Sequence, residues 1–219
     1  MSILTENLIE RLVADGAAVK RLRPPALRAA VWLIGFVALA AAAVWVFDAM
    51  PEMMRRLQES RLGVELAATF LTGVAAVTAA FFLSLPDRSR RWMLLPLAPL
   101  VVWLSVSSYG CYRYWLAYGP NGWVLGRSWE CVVFILGLGI LAGLSLYAVL
   151  RRTNPLDPVP ILAMGGLGVA GLNAAALQFF HPFDVTFLDL GVHIVASAII
   201  IAAMALGGWA ALARPPKVA

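Results

Sequence analysis

The last long apolar run of the chain reads LDLGVHIVASAIIIAAMALGGWAALA, residues 188–213. Its ionisable side chains, Asp189 and His193, both lie close to its start. A helix needs about 20 mostly apolar residues to cross the roughly 30 Å of hydrocarbon in a bilayer. This run is therefore long enough to span a membrane as a single helix.

Five earlier runs have the same character, and together they predict an all-α, polytopic membrane protein with a bundle of six transmembrane helices. The predicted spans cover residues 29–47, 62–85, 92–108, 131–150, 159–180 and 188–213. Pro96 and Pro99 interrupt the third span, but neighbouring helices can satisfy the backbone groups that a proline frees. Only 13% of the residues are charged, against about 25% in soluble domains. The sequence thus predicts one membrane domain, residues 29–213, between polar tails at 1–28 and 214–219.

The basic residues predict that both tails face the cytoplasm. With the N-terminus inside, the inner segments hold 12 of the 17 Lys and Arg residues. The outer segments hold the others, which are Arg55, Arg56, Arg61, Arg113 and Arg127. Cytoplasmic loops of membrane proteins carry such an excess. The net charge of +5 therefore reflects topology, and we expect membrane lipid around the protein and no direct contact with nucleic acid.

The N-terminal tail carries the pattern of an amphipathic helix that ends near Asp15-Gly16. Its apolar positions are Ile3, Leu4, Leu8, Ile9, Leu12 and Val13. Such a helix can lie on the lipid surface, hold a protein partner or fold back on the bundle. Its polar face carries more acidic than basic residues, unlike helices that bind anionic lipid. This favours a protein partner.

All the cysteines and histidines fall at or near the predicted outer side. Cys111 begins the long outer connection, Cys131 closes it, and the histidines are His181 and His193. Acidic residues accompany them, namely Glu65, Asp184 and Asp189. Ionisable residues within a membrane are costly, which makes them candidates for a functional site.

Three roles remain open for the two cysteines. The first is purely structural, either a disulfide, which suits an oxidising outer face, or buried inert thiols. The second is metal binding, since thiolate and imidazole ligands suit a soft or borderline metal such as Cu, Zn or Cd. The third is a pair of free thiols that change oxidation state under stress. The spacing of the cysteines and histidines matches no compact zinc motif. For the histidines, the alternative to metal ligation is ordinary hydrogen bonding: His193 to Asp189 or Glu65, and His181 as a helix cap.

Several segments together resemble the NrsF family of bacterial membrane anti-sigma factors, the negative regulators of sigma F. They are LIERL at 8–12, RLRPP at 21–25, LPDRSRRW at 85–92, Gly110-Cys111 with Cys131, and HPFD at 181–184 with His193. The resemblance implies a multi-pass protein of the bacterial inner membrane. It also implies that an extracytoplasmic-function sigma factor binds the N-terminal segment and is released when heavy metal or oxidant acts on Cys111 and Cys131.

The predicted function is therefore non-enzymatic signalling, and two alternatives use the same outer cluster. A small membrane redox protein normally needs a close Cys-X-X-Cys pair, which the sequence does not contain. An ion-coupled transporter would use Glu65 and Asp189, but no line of polar residues continues from them to the cytoplasmic side. The sequence leaves open whether the protein forms a homo-oligomer.

Overall fold

The computed structural model of the protein describes residues 3–14, 16, 22–56, 58, 60–119, 125–153, 155–180 and 186–212. Within these ranges eight α-helices follow one another: α1 (Ile3–Ala14), α2 (Pro25–Val46), α3 (Met50–Arg56), α4 (Ser60–Leu83), α5 (Leu97–Tyr118), α6 (Leu125–Leu150), α7 (Pro158–Leu177) and α8 (Phe187–Leu212). Six of them, α2 and α4 to α8, are long and apolar enough to cross a membrane. The prediction of an all-α bundle with six spans is confirmed.

Successive long helices run in opposite directions, so the bundle has two ends. We call the end at which α2 begins the tail face and the end at which α4 begins the far face. At the tail face, Nη2 of Arg28 in α2 donates a 3.2 Å hydrogen bond to the carbonyl oxygen of Val149, near the end of α6. The assignment of the tail face to the cytoplasm stays a prediction from the charges.

Helix α7 forms the centre of the bundle, because 15 of its 20 residues are buried. It packs most extensively against α8 and α4. Glycines allow the close approach to α4: a β-carbon at Gly171 would lie 2.9 Å from the backbone nitrogen of Gly73, and one at Gly73 would lie 2.7 Å from that of Leu172. Small residues let membrane helices approach in this way. The other helices pack around this pair.

The third span differs from its prediction in both of its limits. Helix α5 begins at Leu97, directly after Pro96, and Pro99 lies in its first turn, where a missing N–H breaks no helical hydrogen bond. The helix then continues to Tyr118. It ends at Gly119, whose φ of 62° lies in a region that glycine, which has no β-carbon, adopts at no steric cost.

This longer helix corrects the predicted surroundings of the cysteines. Cys111 lies within α5 and does not begin a loop. Cys131 lies in the second turn of α6 and does not close one. The sequence-based prediction ended the span at residue 108, but the first effective helix stop comes only at Gly119.

The predicted tail helix is present as α1, which ends one residue before Asp15. Asp15 itself lies outside the described residues, as do the side chains of Ile3, Leu4 and Leu12. The predicted tail at 214–219 also lies outside them. The short helix α3, between the first two spans, was not predicted.

Candidate functional site

A buried carboxylate lies near the far face. Glu65, in the second turn of α4, is 7% exposed. Its Oε1 accepts a 2.6 Å hydrogen bond from the hydroxyl of Ser107 in α5, and its Oε2 lies 3.3 Å from Nη1 of Arg61. Arg61 precedes Glu65 by four residues, a spacing that places both side chains on one face of a helix. Both carboxylate oxygens are thus bonded, as burial of such a group requires.

Gly110 makes room for the Arg61 side chain. A β-carbon at this position would collide with the guanidinium of Arg61. The absence of a side chain therefore lets the guanidinium lie against α5. Gly110 thus has a steric role in the site, next to Cys111.

The thiol of Cys111 links α5 to the start of α8. Cys111 follows Ser107 by four residues, and its side chain is likewise buried. Its Sγ donates a 3.4 Å hydrogen bond to the carbonyl oxygen of Thr186. That oxygen also accepts the first helical hydrogen bond of α8, from the N–H of Leu190 at 3.0 Å. Cys111 carries a free thiol.

Thr186 and Asp189 form a capping box at the start of α8. The Thr186 hydroxyl oxygen accepts a 3.2 Å hydrogen bond from the Asp189 N–H. In return, Oδ2 of Asp189 accepts bonds from the Thr186 N–H at 3.0 Å and from its hydroxyl at 2.8 Å. This arrangement satisfies backbone donors that a helix start leaves unpaired. The Asp189 carboxylate also lies where the helix dipole favours negative charge.

These contacts connect three helices in what we call the far-face cluster: Arg61, Glu65, Ser107, Cys111, Thr186 and Asp189. The cluster contains one thiol, that of Cys111, which is buried; thiols as a class bind soft metals and can be oxidised. Any reaction that removes the thiol hydrogen also removes the donor to Thr186. The Cys111 thiol is thus in direct contact with the start of α8.

The structure brings together three of the predicted site residues, Glu65, Cys111 and Asp189. His193 follows Asp189 by four residues on α8 and lines a cavity beside the cluster. His181, Asp184 and the side chain of Cys131 lie outside the described residues. Among the side chains that are described, no three of Cys, His, Asp and Glu are grouped to hold a metal ion. The predicted metal ligation stays a prediction.

Sequence reasoning did not identify Arg61, Gly110, Ser107 and Thr186 as parts of the site. Thr186 could have been found, because Thr-X-X-Asp before an apolar run is a capping-box pattern. Ser107 and Cys111 are four residues apart, but this spacing became informative only once α5 was known to extend beyond residue 108. No sequence signal showed which helix faces Glu65.

The amino-acid sequence also identifies the family to which the chain belongs. The model of the NrsF family, described as negative regulator of sigma F, matches residues 12–214. The chain belongs to the NrsF family. No curated protein and no solved structure matches it. As an NrsF protein it acts in the negative regulation of a sigma factor, which confirms the resemblance seen in the sequence and makes a sigma factor its partner. The match begins at residue 12, so it leaves out most of α1.

Proposed function

We propose that this NrsF protein holds an extracytoplasmic-function sigma factor at the bacterial inner membrane through α1 and releases it when a soft metal ion or an oxidant acts on Cys111 and Cys131. The observation that carries the proposal is the hydrogen bond from the Cys111 thiol to Thr186. It connects a buried thiol to the start of a helix that packs against α7 and α6.

Helix α1 supplies a surface for the sigma factor. Its side chains Leu8, Ile9 and Val13 are 57%, 47% and 74% exposed. Amphipathic helices commonly bind by laying such a face in an apolar groove of the partner. Since the family match begins at residue 12, the assignment of α1 rests on this exposed face.

The signal begins with a loss of the Cys111 S–H group. Metal ligation requires the thiolate, and oxidation also replaces the thiol hydrogen. In either case, the Thr186 carbonyl loses a donor and then faces a sulfur that repels it or no longer bonds to it. Cys131 lies on α6, and both α5 and α6 pack on α8. A metal or disulfide that engages both cysteines therefore acts on two helices that both pack on α8.

The start of α2, which joins the N-terminal tail to the bundle, contacts both α6 and α4. Arg28, in the first turn of α2, bonds to Val149 of α6, and its guanidinium lies 5.2 Å from the ring centre of Phe81 in α4. A movement of α6 against α4 changes both contacts. To move the sigma factor from mostly bound to mostly free, the stimulus must favour the releasing state by about 5.5 kcal/mol, which two soft-metal bonds can supply.

The test is co-purification of the sigma factor with the membrane protein, before and after addition of cadmium, copper or peroxide. We expect release from the wild type and retention by Cys111→Ser/Cys131→Ser. Equal release from both proteins would rule out the cysteines as the detector.

A separate pair of variants tests α1. Leu8→Asp places a charge on the apolar face and should abolish co-purification of the sigma factor. Asn7→Asp adds the same charge on the polar face and should leave co-purification unchanged. If Leu8→Asp still retains the sigma factor, α1 is not the binding element.

A further inference from the structure

A cavity of about 240 Å³ lies between α4, α5, α7 and α8, beside the far-face cluster. Its end nearest the far face is lined by polar side chains, those of Arg61, Glu65, Ser107, Gln178 and His193. Its other end, towards the middle of the bundle, is lined by apolar ones, among them Leu100, Trp103, Leu104 and Ile201. The cavity thus matches an amphiphilic molecule whose polar part points towards the far face.

The cavity opens sideways between α5 and α8. Leu104 and Ile194 line it and are also 38% and 51% exposed on the outside of the bundle. In a membrane this surface faces lipid. A ligand would therefore enter from the bilayer, and an apolar chain on it could extend back into the lipid.

The charges in the cavity favour a neutral ligand. Arg61 and Glu65 form an ion pair at 3.3 Å, so an anionic head drawn to the guanidinium would also meet the carboxylate. Both carboxylate oxygens of Glu65 already accept hydrogen bonds, so they have less capacity to bind a cationic head group. Side chains that contain hydrogen-bond donors, those of Gln178, His193 and Ser197, also line the cavity; Nε2 of Gln178 donates a 3.4 Å hydrogen bond to Oγ1 of Thr69. The polar end therefore suits a neutral head that carries acceptors such as carbonyl oxygens.

The volume of the cavity limits the size of the head group that it can hold. At about 240 Å³ the cavity exceeds the roughly 150 Å³ of an apolar cavity that takes up benzene. A phospholipid head is charged and does not suit the ion pair that lines the cavity. The indole ring of Trp103, which also lines the cavity, offers a flat surface for stacking. We propose that the cavity binds the ring of an isoprenoid quinone, with the carbonyls towards His193 and the chain leaving between α5 and α8.

Quinone binding goes beyond the proposed function and does not depend on it. The site uses neither cysteine, and its polar end includes Glu65 and Ser107, which belong to the far-face cluster. A bound quinone, which reaches the protein through the membrane, would be a second signal beside the one proposed for the Cys111 thiol.

The test is photolabelling with an azido analogue of decylubiquinone, on protein in nanodiscs of phosphatidylethanolamine and phosphatidylglycerol. We expect saturable labelling of peptides from α5 and α8, displaced by decylubiquinone. Ala198→Phe places a ring in the cavity and should abolish the labelling. Ala202→Phe makes the same change at an exposed position on α8 that does not line the cavity, and should leave it intact.

Two further measurements keep the test decisive. If Ala198→Phe does not fold, Leu104→Trp fills the cavity from α5 and should give the same loss. His193→Leu should weaken quinone binding about two- to tenfold, the effect of one ordinary hydrogen bond. Unchanged labelling in the cavity-filling variants, or displacement by oleate as effective as by decylubiquinone, would overturn the proposal.

Discussion

The hydroxyl of Ser107 donates a 2.6 Å hydrogen bond to Oε1 of Glu65 and so joins α5 to α4 inside the bundle. Ser107 is 4% exposed and Glu65 is 7% exposed. In such surroundings a polar atom that loses its partner cannot be solvated by water instead. The bond therefore constrains the position of α5, the helix that also carries Cys111.

Replacement of Ser107 by alanine should destabilise the protein. Ser107→Ala leaves Oε1 of Glu65 buried without this donor, which should lower the free energy of unfolding by about 1–3 kcal/mol. Unfolding in mixed detergent, followed by circular dichroism, measures the change. Ser108→Ala removes an exposed hydroxyl from the next position and serves as the control. Equal stability of the two variants would contradict the role of the bond.

The contact between α4 and α7 should not tolerate a methyl group at Gly171. A β-carbon there would lie 2.9 Å from the backbone nitrogen of Gly73, and backbone cannot move aside as a flexible side chain can. We expect Gly171→Ala to lower the free energy of unfolding by about 1–3 kcal/mol or more. Gly137→Ala, where no atom lies within 4 Å of the added carbon, should be neutral or stabilising. A neutral Gly171→Ala would show that the two helices are not in contact at this point.

The capping box at Thr186 can be tested with two substitutions at one position. Thr186→Val keeps the shape of the side chain but removes the hydroxyl, and should cost about 0.5–2 kcal/mol of stability. Thr186→Ser keeps the hydroxyl and should retain most of the stability. The melting temperature of each variant in detergent measures its change in stability. The account of the cap fails if serine destabilises the protein as much as valine does.

The burial of Cys111 predicts a protected thiol. Its residue is 1% exposed, so in a Cys131→Ser background we expect very slow reaction with a water-soluble maleimide. Arg113→Cys, placed in a background without the native cysteines, provides an exposed thiol two residues further along α5 and should react much faster. After unfolding in sodium dodecyl sulfate the two rates should converge. Equal rates in the folded proteins would place Cys111 at the surface.

Most of the fold could be predicted because each span must contain about 20 mostly apolar residues to cross the membrane. The length and apolarity of the run at 188–213 lead directly to α8 (Phe187–Leu212). Prediction failed at α5, where the predicted span ended at residue 108 while the helix continues to Tyr118. A helix continues until the backbone meets a stop, and the change in side-chain polarity after residue 108 was not a stop.

The site was only partly predictable for a different reason. Glu65, Cys111 and Asp189 stood out individually, since titratable or reactive side chains are rare in these spans. Their connection runs through Ser107 and Thr186, which are ordinary residues in an apolar sequence. Which helix neighbours which is decided by packing, such as the fit of Gly73 against Leu172, and one sequence does not reveal that fit.

The central place of α7 has a consequence for biosynthesis. Helices α2, α4 and α5 find contacts among themselves, whereas α6 has its main contacts with α7 and α8. During translation the face of α4 around Gly73, which packs against α7, is therefore left against lipid or the insertion machinery until α7 leaves the ribosome. The bundle can therefore assemble only after α7 and α8 have been synthesised. A chain interrupted after α6 would expose to quality-control proteases the surfaces that α7 and α8 normally cover.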